Sequence, residues 1–197
     1  STRKESSAAS DVYKRQIVSQ PKTEYVYGEK LDLSNAKARI TYDSGYVEDN
    51  VPFTELGEYG VTIGYPNDDG TITAAKDGDV LTVPDHNGKC IELLAQSTHK
   101  VPTVQTDNLT VEKRVLEYGE CIVNPIVYDG KTLQTTGTIA FSNVQNNDKV
   151  TATGEFSFED FNAGKDKTVN ILNVKLDKPF DENYELSSDN VLSLIHI

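Results

Sequence analysis

Turn signals interrupt this chain roughly every 8–14 residues, and no segment between them holds a helical apolar period for the dozen residues that favour a helix over a strand. What lies between the turns alternates. Ala36, Ala38, Ile40 and Tyr42 are separated by Lys37, Arg39 and Thr41; Val150, Ala152, Gly154 and Phe156 are separated by Thr151, Thr153 and Glu155. A period of two puts one set of side chains on a core and the other in water, as a strand covered on one face requires. The pattern therefore predicts an all-β fold.

The strongest local turn signal is Ile126-Val127-Tyr128-Asp129-Gly130-Lys131-Thr132. A β-branched and aromatic run stops at Asp129-Gly130, and a second strand is expected from Leu133. Asp and Gly tolerate the positive φ of tight strand turns, so Gly130 is expected in that region. Ile40-Thr41-Tyr42-Asp43-Ser44-Gly45 repeats the logic. Each is preceded by a Tyr-Gly-Glu triplet, Tyr27-Gly28-Glu29 and Tyr118-Gly119-Glu120, and the two triplets lie 91 residues apart. That is the length of one small domain, and it predicts two tandem, β-sandwich-like modules, residues 17–111 and 113–191.

Both ends read differently from the body. Asp11 to Gln16 is the translation of GAT GTG TAT AAG AGA CAG, a transposase sequencing adapter, and Leu192 to Ile197 is the translation of its reverse complement. The chain contains no methionine. Residues 1–16 and 192–197 are accordingly expected to be adapter-derived tails that complete no core. The formal net charge is −12, and the body between the tails holds 15 basic against 29 acidic residues. A surface of that sign repels phosphate backbones, which disfavours nucleic-acid binding. No apolar run approaches the ~18 residues of a membrane-spanning helix.

Along the first module, Ile17-Val18 and Glu24 to Tyr27 are expected to pair around Pro21, with Gly28-Glu29-Lys30 as a turn. Further strands are expected over 47–51, 61–65 and 80–83, and short helical pieces over 54–59 and 89–96. Pro102 to Asn108 reads as a polar linker. In the second module Val169, Ile171 and Asn173 are expected on one face of a strand over 168–176, with a helical turn over 158–162.

Pro21-Lys22-Thr23-Glu24-Tyr25, Tyr27-Gly28-Glu29-Lys30-Leu31-Asp32-Leu33, Tyr42-Asp43-Ser44-Gly45 and Val51-Pro52-Phe53 together resemble a bacterial immunoglobulin-like domain of the group-3 type, over most of residues 17–95. Asn50 lengthens the spacing between the turn and Val51-Pro52 relative to that pattern. Residues 113–190 resemble the YDG repeat domain of large bacterial surface proteins, through Tyr128-Asp129-Gly130, Lys167-Thr168-Val169 and Asn183-Tyr184. The resemblance implies an extracellular, multi-module surface polypeptide and brings no catalytic set.

The candidates for chemistry are few. Cys90 and Cys121 fall in different modules and lack a Cys-x-x-Cys or His partner for metal, so both are expected as buried thiols. His86, within Pro84-Asp85-His86-Asn87-Gly88, is surrounded by turn formers and has no nucleophile motif to serve. His99 is a lone polar residue of the linker stretch. Asn67-Asp68-Asp69-Gly70 and Asp77-Gly78-Asp79 cluster oxygens, but hairpin turns explain them without the six to eight ligands calcium takes. Tyr128 and Tyr184 suit packing with a bonded hydroxyl better than an aromatic sugar platform. Asn108-Leu109-Thr110 is a formal glycosylation sequon.

The expected function is structural: a fragment of a secreted or cell-surface bacterial protein whose modules serve as stalk or adhesin repeats. It carries no catalytic, cofactor or metal residues, and the marking residues are Tyr27, Gly28, Glu29, Tyr128, Asp129, Gly130, Asn183 and Tyr184. Host or matrix protein, or glycan, would be engaged by other parts of the full-length protein, without nucleic acid or direct membrane insertion. The alternative is a pair of accessory carbohydrate-binding modules of an extracellular enzyme.

Overall fold

The computed structural model describes residues 11–95, 101–127, 129–162, 164 and 167–187, together with the backbone of 191–195. The fold is all-β. The chain divides into two compact units between Glu112 and Lys113. The strands of the first unit are β1 (Val12–Ser19), β2 (Glu24–Val26), β3 (Lys37–Tyr42), β4 (Val47–Pro52), β5 (Val61–Pro66), β6 (Ile72–Ala74), β7 (Glu92–Ala95), β8 (Val104–Gln105) and β9 (Thr110–Glu112). One sheet runs β1-β3-β4 and a second runs β6-β5-β7-β8, while β2 and β9 form a short pair. Ala38 and Ile40 of the first sheet share one core with Val61 and Leu93 of the second, along with Leu31, Leu33 and Leu81. This is the two-layer solution for sheets that each have one apolar face.

The second unit contains β10 (Arg114–Leu116), β11 (Ile122–Val123), β12 (Gln134–Thr135), β13 (Gly137–Thr138), β14 (Ala152–Phe158), β15 (Lys167–Leu176), β16 (Tyr184–Leu186) and β17 (Val191–Ile195). Its main sheet runs β12-β14-β15-β17, with β10 beside β16 and β11 beside β13. Phe156 and Phe158 from β14 meet Val169, Ile171 and Val174 from β15 over Cys121, Val123 and Ile139.

In both units the central hairpin contains one extra residue, and in both that residue is an asparagine. Between β3 and β4 the pairs Ala38↔Val51 and Ile40↔Glu48 enclose one residue on β3 and two on β4. Asn50 takes up the excess at φ 55°. Between β14 and β15 the pairs Thr153↔Lys175 and Glu155↔Leu172 do the same, with Asn173 at φ 54°. These are β-bulges, and Asn is the side-chain-bearing residue that adopts the left-handed region most readily. The added residue noticed at Asn50 in the sequence is thus absorbed without losing the inward position of Val51. At Asn173 the same device corrects the expected face: Asn173 is exposed, and Val174 is buried in line with Val169 and Ile171.

Other expectations are corrected. Residues 12–16, expected to add nothing to a core, are the first half of β1, paired with β3 from Val12↔Tyr42 to Gln16↔Arg39, and Val12 is buried. Backbone pairing of β17 with β15 likewise takes in residues 192–195. The segments 17–18 and 24–27 do not pair with each other; β2 runs parallel to β9, with Tyr25 opposite Val111. Val80 makes a single bridge to Lys30 before the chain turns into a short helix at Val83–His86, because Pro84 cannot donate to a ladder. The piece over 89–96 contains β7 rather than a helix, since Ile91 and Leu93 both face the core. No helix forms over 158–162, where Phe158 ends β14. Pro102 to Asn108 is no linker: β8 and the buried Thr106, followed by Leu109, are built into the first unit. A 3-10 helix does occupy Phe53–Tyr59, where a helical piece was expected, and buries Phe53 and Leu56. Among the described residues no helix is long and apolar enough to cross a membrane.

Because a β-branched residue in the left-handed region costs at least about 1–2 kcal/mol, Asn50→Val should lower the melting of the first unit only, and Asn173→Val that of the second only. Asn→Gly at either bulge should be close to neutral. Differential scanning calorimetry on the full chain separates these outcomes.

Candidate functional site

Only part of the Tyr-Asp-Gly signal forms as read. Tyr128 lies outside the described residues. Asp129 organises the turn: its Oδ1 accepts the backbone N–H groups of Lys131 and Thr132, each at 2.8 Å, and its Oδ2 accepts the Thr132 hydroxyl. These bonds hold the Asp129 carboxyl below the usual carboxylate range, the Thr132 hydroxyl first among them. Gly130 has φ 70°, the positive value expected of it.

The flanking strand is a correction. Ile126 and Val127 are not in a strand, and Val127 is 91% exposed. The ladder of β11 with β13 continues only to the Asn124 N–H, which bonds the Thr136 carbonyl at 2.7 Å. The next residue is Pro125, which has no N–H to give. The chain therefore leaves the sheet one residue before the apolar run, and Asp129-Gly130 sits in a loop rather than in a two-residue hairpin.

Beside this loop is a shallow cleft of about 180 Å³. Pro125, Ile126, Phe158 and Phe161 form its apolar part, and Asp160 and Lys167 its polar part. Lys167 is ion-paired to Asp160, whose Oδ1 also accepts the Asn162 N–H at 2.7 Å. The ammonium, then that N–H, holds the Asp160 carboxyl low. Both carboxylates here are therefore kept in the charged form, whereas a general acid working near neutrality needs its pKa raised.

Tyr184 is fully buried, 1% exposed, at the start of β16. Its hydroxyl donates to Asp148 Oδ2 at 2.8 Å and accepts the Gln145 N–H at 3.0 Å. The loop held in this way contains Asn146 and Asn147 at φ 55° and 59°. Asn183 contributes its carbonyl to the Arg114 N–H at 3.0 Å, where parallel pairing of β10 with β16 begins. Tyr184 is thus a brace between strand and loop and presents no face to solvent.

The first unit has its own brace, which sequence reading missed. The Tyr25 hydroxyl donates to the Lys22 carbonyl and accepts the Asp32 N–H, both at 3.0 Å, under a ring that carries the Lys22 ammonium 4.5 Å from its centre. Next to it, Gly28 turns the chain at φ 94°, and the Glu29 carboxylate accepts the Val26 N–H at 2.8 Å and pairs with Lys22 at 3.0 Å. Tyr27 is buried. The other triplet is not its equivalent. Tyr118 bridges to Phe141 in extended backbone, and Gly119 has no positive φ. The usable signal for the brace was the motif around Tyr25, not the repeated triplet.

The remaining candidates are accounted for locally. Cys90 and Cys121 are buried free thiols, and burial pushes the Cys90 thiol up. Asp69 caps Thr71 in the β5–β6 turn; Asp77 and Asp79 accept the N–H groups of Leu33 and Lys76. Among the described residues no group of three or more His, Cys, Asp or Glu is placed to hold a metal. Asn108 is exposed beside the buried Leu109. His99 lies outside the described residues. His86 closes the short helix with its ring edge-on to Tyr65 at 4.8 Å. Its Nδ1 lies 3.0 Å from the Thr82 backbone nitrogen and 3.3 Å from the Thr82 carbonyl and hydroxyl oxygens.

Burial depresses the His86 pKa, so the fold favours the neutral ring. Stability from this source is complete above the unfolded value of about 6.5 and is lost as pH falls through the folded value. Urea unfolding should show the first unit weakening from pH 7 to pH 5 in the parent and a smaller loss in His86→Gln. In the second unit, Tyr184→Phe removes the acceptor of the Gln145 N–H and a donor to the Asp148 carboxylate and should cost about 1–3 kcal/mol. Gly130→Val, in an exposed loop, should cost about 1–2 kcal/mol.

Comparison with known proteins adds one family match. No curated protein and no solved structure matches the chain. The family match begins at residue 125, after β10 and β11, although Leu116, Cys121 and Val123 from that preceding stretch are buried in the same unit. Residues 125–191, carrying the Asp129–Gly130 turn, the β14–β15 hairpin and the Tyr184 brace, match the family model of the YDG domain.

Proposed function

We propose that this chain is a piece of a secreted or cell-surface bacterial protein in which two β units in series serve as stalk or adhesin repeats. The first unit is read as an immunoglobulin-like domain of the group-3 type, preceding the YDG domain. The role is mechanical and non-enzymatic. Contacts with host or matrix protein, or glycan, belong to other parts of the full-length protein. Residues 1–16 and 192–197 are read as appended adapter sequence.

The observation that carries this reading is the separation of the cores. Among the described residues, the buried members of one cluster run from Val12 to Val111 and those of the other from Cys121 to Val174, with Tyr118 and Leu186 packed against the second. Units that close on their own cores can be strung in series and loaded independently. The accessory carbohydrate-binding reading is favoured by one feature, Tyr46, which is exposed and stacked with Tyr42 at 6.1 Å.

Pulling the full chain from its two ends should give two separate unfolding events, and a single cooperative event would contradict serial modules. Titration with a panel of plant, bacterial and host oligosaccharides should leave the Tyr42 and Tyr46 ring signals unmoved. A saturable shift at those rings would favour the accessory reading.

A further inference from the structure

Asn87-Gly88 is the one Asn-Gly pair in the sequence, and it directly follows the short helix at Val83–His86. An asparagine followed by glycine is the pair most open to attack by the backbone on its own side chain, because glycine has no Cβ to shield its nitrogen. The attack needs a free Gly nitrogen, a free Asn carboxamide and a backbone that brings them together. The fold withholds all of these. The Gly88 N–H donates to the Leu109 carbonyl at 2.8 Å. The Asn87 Oδ1 accepts the Val111 N–H at 3.0 Å. A ψ of 126° at Asn87 turns the Gly88 nitrogen away from the side chain, whereas ring closure needs it eclipsed with Cβ. Burial plays no part, since Asn87 and Gly88 are both exposed.

Both latching groups belong to one segment. Leu109 and Val111 are buried, the Leu109 N–H returns to the Lys89 carbonyl at 2.8 Å, and Val111 lies opposite Tyr25 in the short β2–β9 pair. From this arrangement we propose that Asn87-Gly88 is a latent self-modification site, latched by β9 and armed when that strand is released. In the released state the Gly88 nitrogen gives its proton to solvent base and attacks Asn87 Cγ. The N–Cγ bond forms, the Cγ–Nδ2 bond breaks, and Nδ2 leaves as ammonia with a proton from solvent. Water then opens the cyclic imide at one of its two carbonyls. One cleavage leaves aspartate at position 87 and the other leaves isoaspartate, with net exchange of NH for O in both.

The reaction turns a reversible opening into a permanent one. Aspartate at 87 still offers the Val111 N–H an oxygen, but isoaspartate routes the main chain through Cβ. The added main-chain carbon displaces Gly88 from its bond to the Leu109 carbonyl, so β9 loses part of its seat. Strand β9 is also the last strand of the first unit, and the chain leaves that unit between Glu112 and Lys113. Load arriving along the chain from that side therefore meets β9 before any other strand of the unit. On the serial-module reading, on which this one consequence rests, the site records mechanical opening as a lasting chemical change.

The test incubates the full chain at mildly alkaline pH across a urea series that ends beyond unfolding of the first unit. Intact mass and isoaspartate mapping follow residue 87, and hydrogen exchange follows the Gly88 and Val111 amides. The native chain should react at least tenfold more slowly than the unfolded one, with a rate that rises in step with exchange at those two amides. Val111→Ala, which loosens β9 without altering the reacting pair, should speed the native reaction and leave the unfolded rate unchanged. Gly88→Ala should slow the unfolded reaction at least tenfold, and Asn87→Asp should abolish the mass change at that residue. Equal rates in the native and unfolded parent, or a native rate independent of amide exchange, would overturn the latch, and this parent series decides even where Val111→Ala does not fold. Steady load below the first unfolding event should hasten the reaction in a chain held by its ends; an unchanged rate there would overturn the load coupling alone. A single unfolding event under load would overturn the serial-module reading and leave the latch standing.

Discussion

Each unit depends on a central antiparallel hairpin that stays in register only because an asparagine adopts a conformation most residues avoid. Side chains alternate along a strand, so one uncompensated extra residue would turn every later side chain to the other face. In β4 this would take Val51 out of the core ahead of Phe53. In β15 it would do the same to Val174 after Val169 and Ile171. Asn50 and Asn173 each place the extra residue outside the ladder, at φ 55° and 54°. The two sheets of the first unit and the phenylalanine cluster of the second then close over a continuous apolar face. Both cores rest on a backbone choice made at one position.

A second shared device is the buried tyrosine beside a short parallel pair. Tyr25 in β2 and Tyr184 in β16 each bury a ring and spend the hydroxyl on backbone or carboxylate groups of a neighbouring loop. A buried hydroxyl left unbonded is costly, so these bonds specify loop position as well as adding stability. The loops themselves carry little apolar surface. Tethering by a hydroxyl lets short-stranded units keep long connections without large cores. Val127 and Phe161, on connections of the second unit, are exposed.

The electrostatic arrangement follows the same economy. Carboxylates at the turns, Asp69, Asp77, Asp79 and Asp129, are spent on backbone N–H groups, and Asp160 is spent on Lys167. Clustered oxygens that suggest a cation in one dimension are thereby occupied in three. Arg15 is the contrary case, a buried residue whose Nε has no hydrogen-bond partner among the described residues.

The residues alone determined the features that rest on local chemistry. The all-β class, the inward faces of β3 and β14, the positive φ of Gly130 and the 3-10 segment after Pro52 all follow from alternation and turn preference, which act over a few residues. The extra residue at Asn50 was visible as altered spacing; its conversion into a bulge was not, because only the pairing with β3 shows which residue is surplus. Partner choice was likewise beyond reach. That β2 joins β9 rather than β1, that Pro102 to Asn108 belongs inside the first unit, and that 89–96 contains a strand were settled by contacts far apart in the chain. The turn at Asp129-Gly130 shows the division most clearly. It is encoded by Asp129 and Gly130 themselves, but the strand expected before it fails because Pro125 ends a ladder whose other half, β13, comes later in the sequence. Local chemistry acts on neighbours in the chain, whereas pairing and burial act on neighbours in space, and only the fold decides which those are.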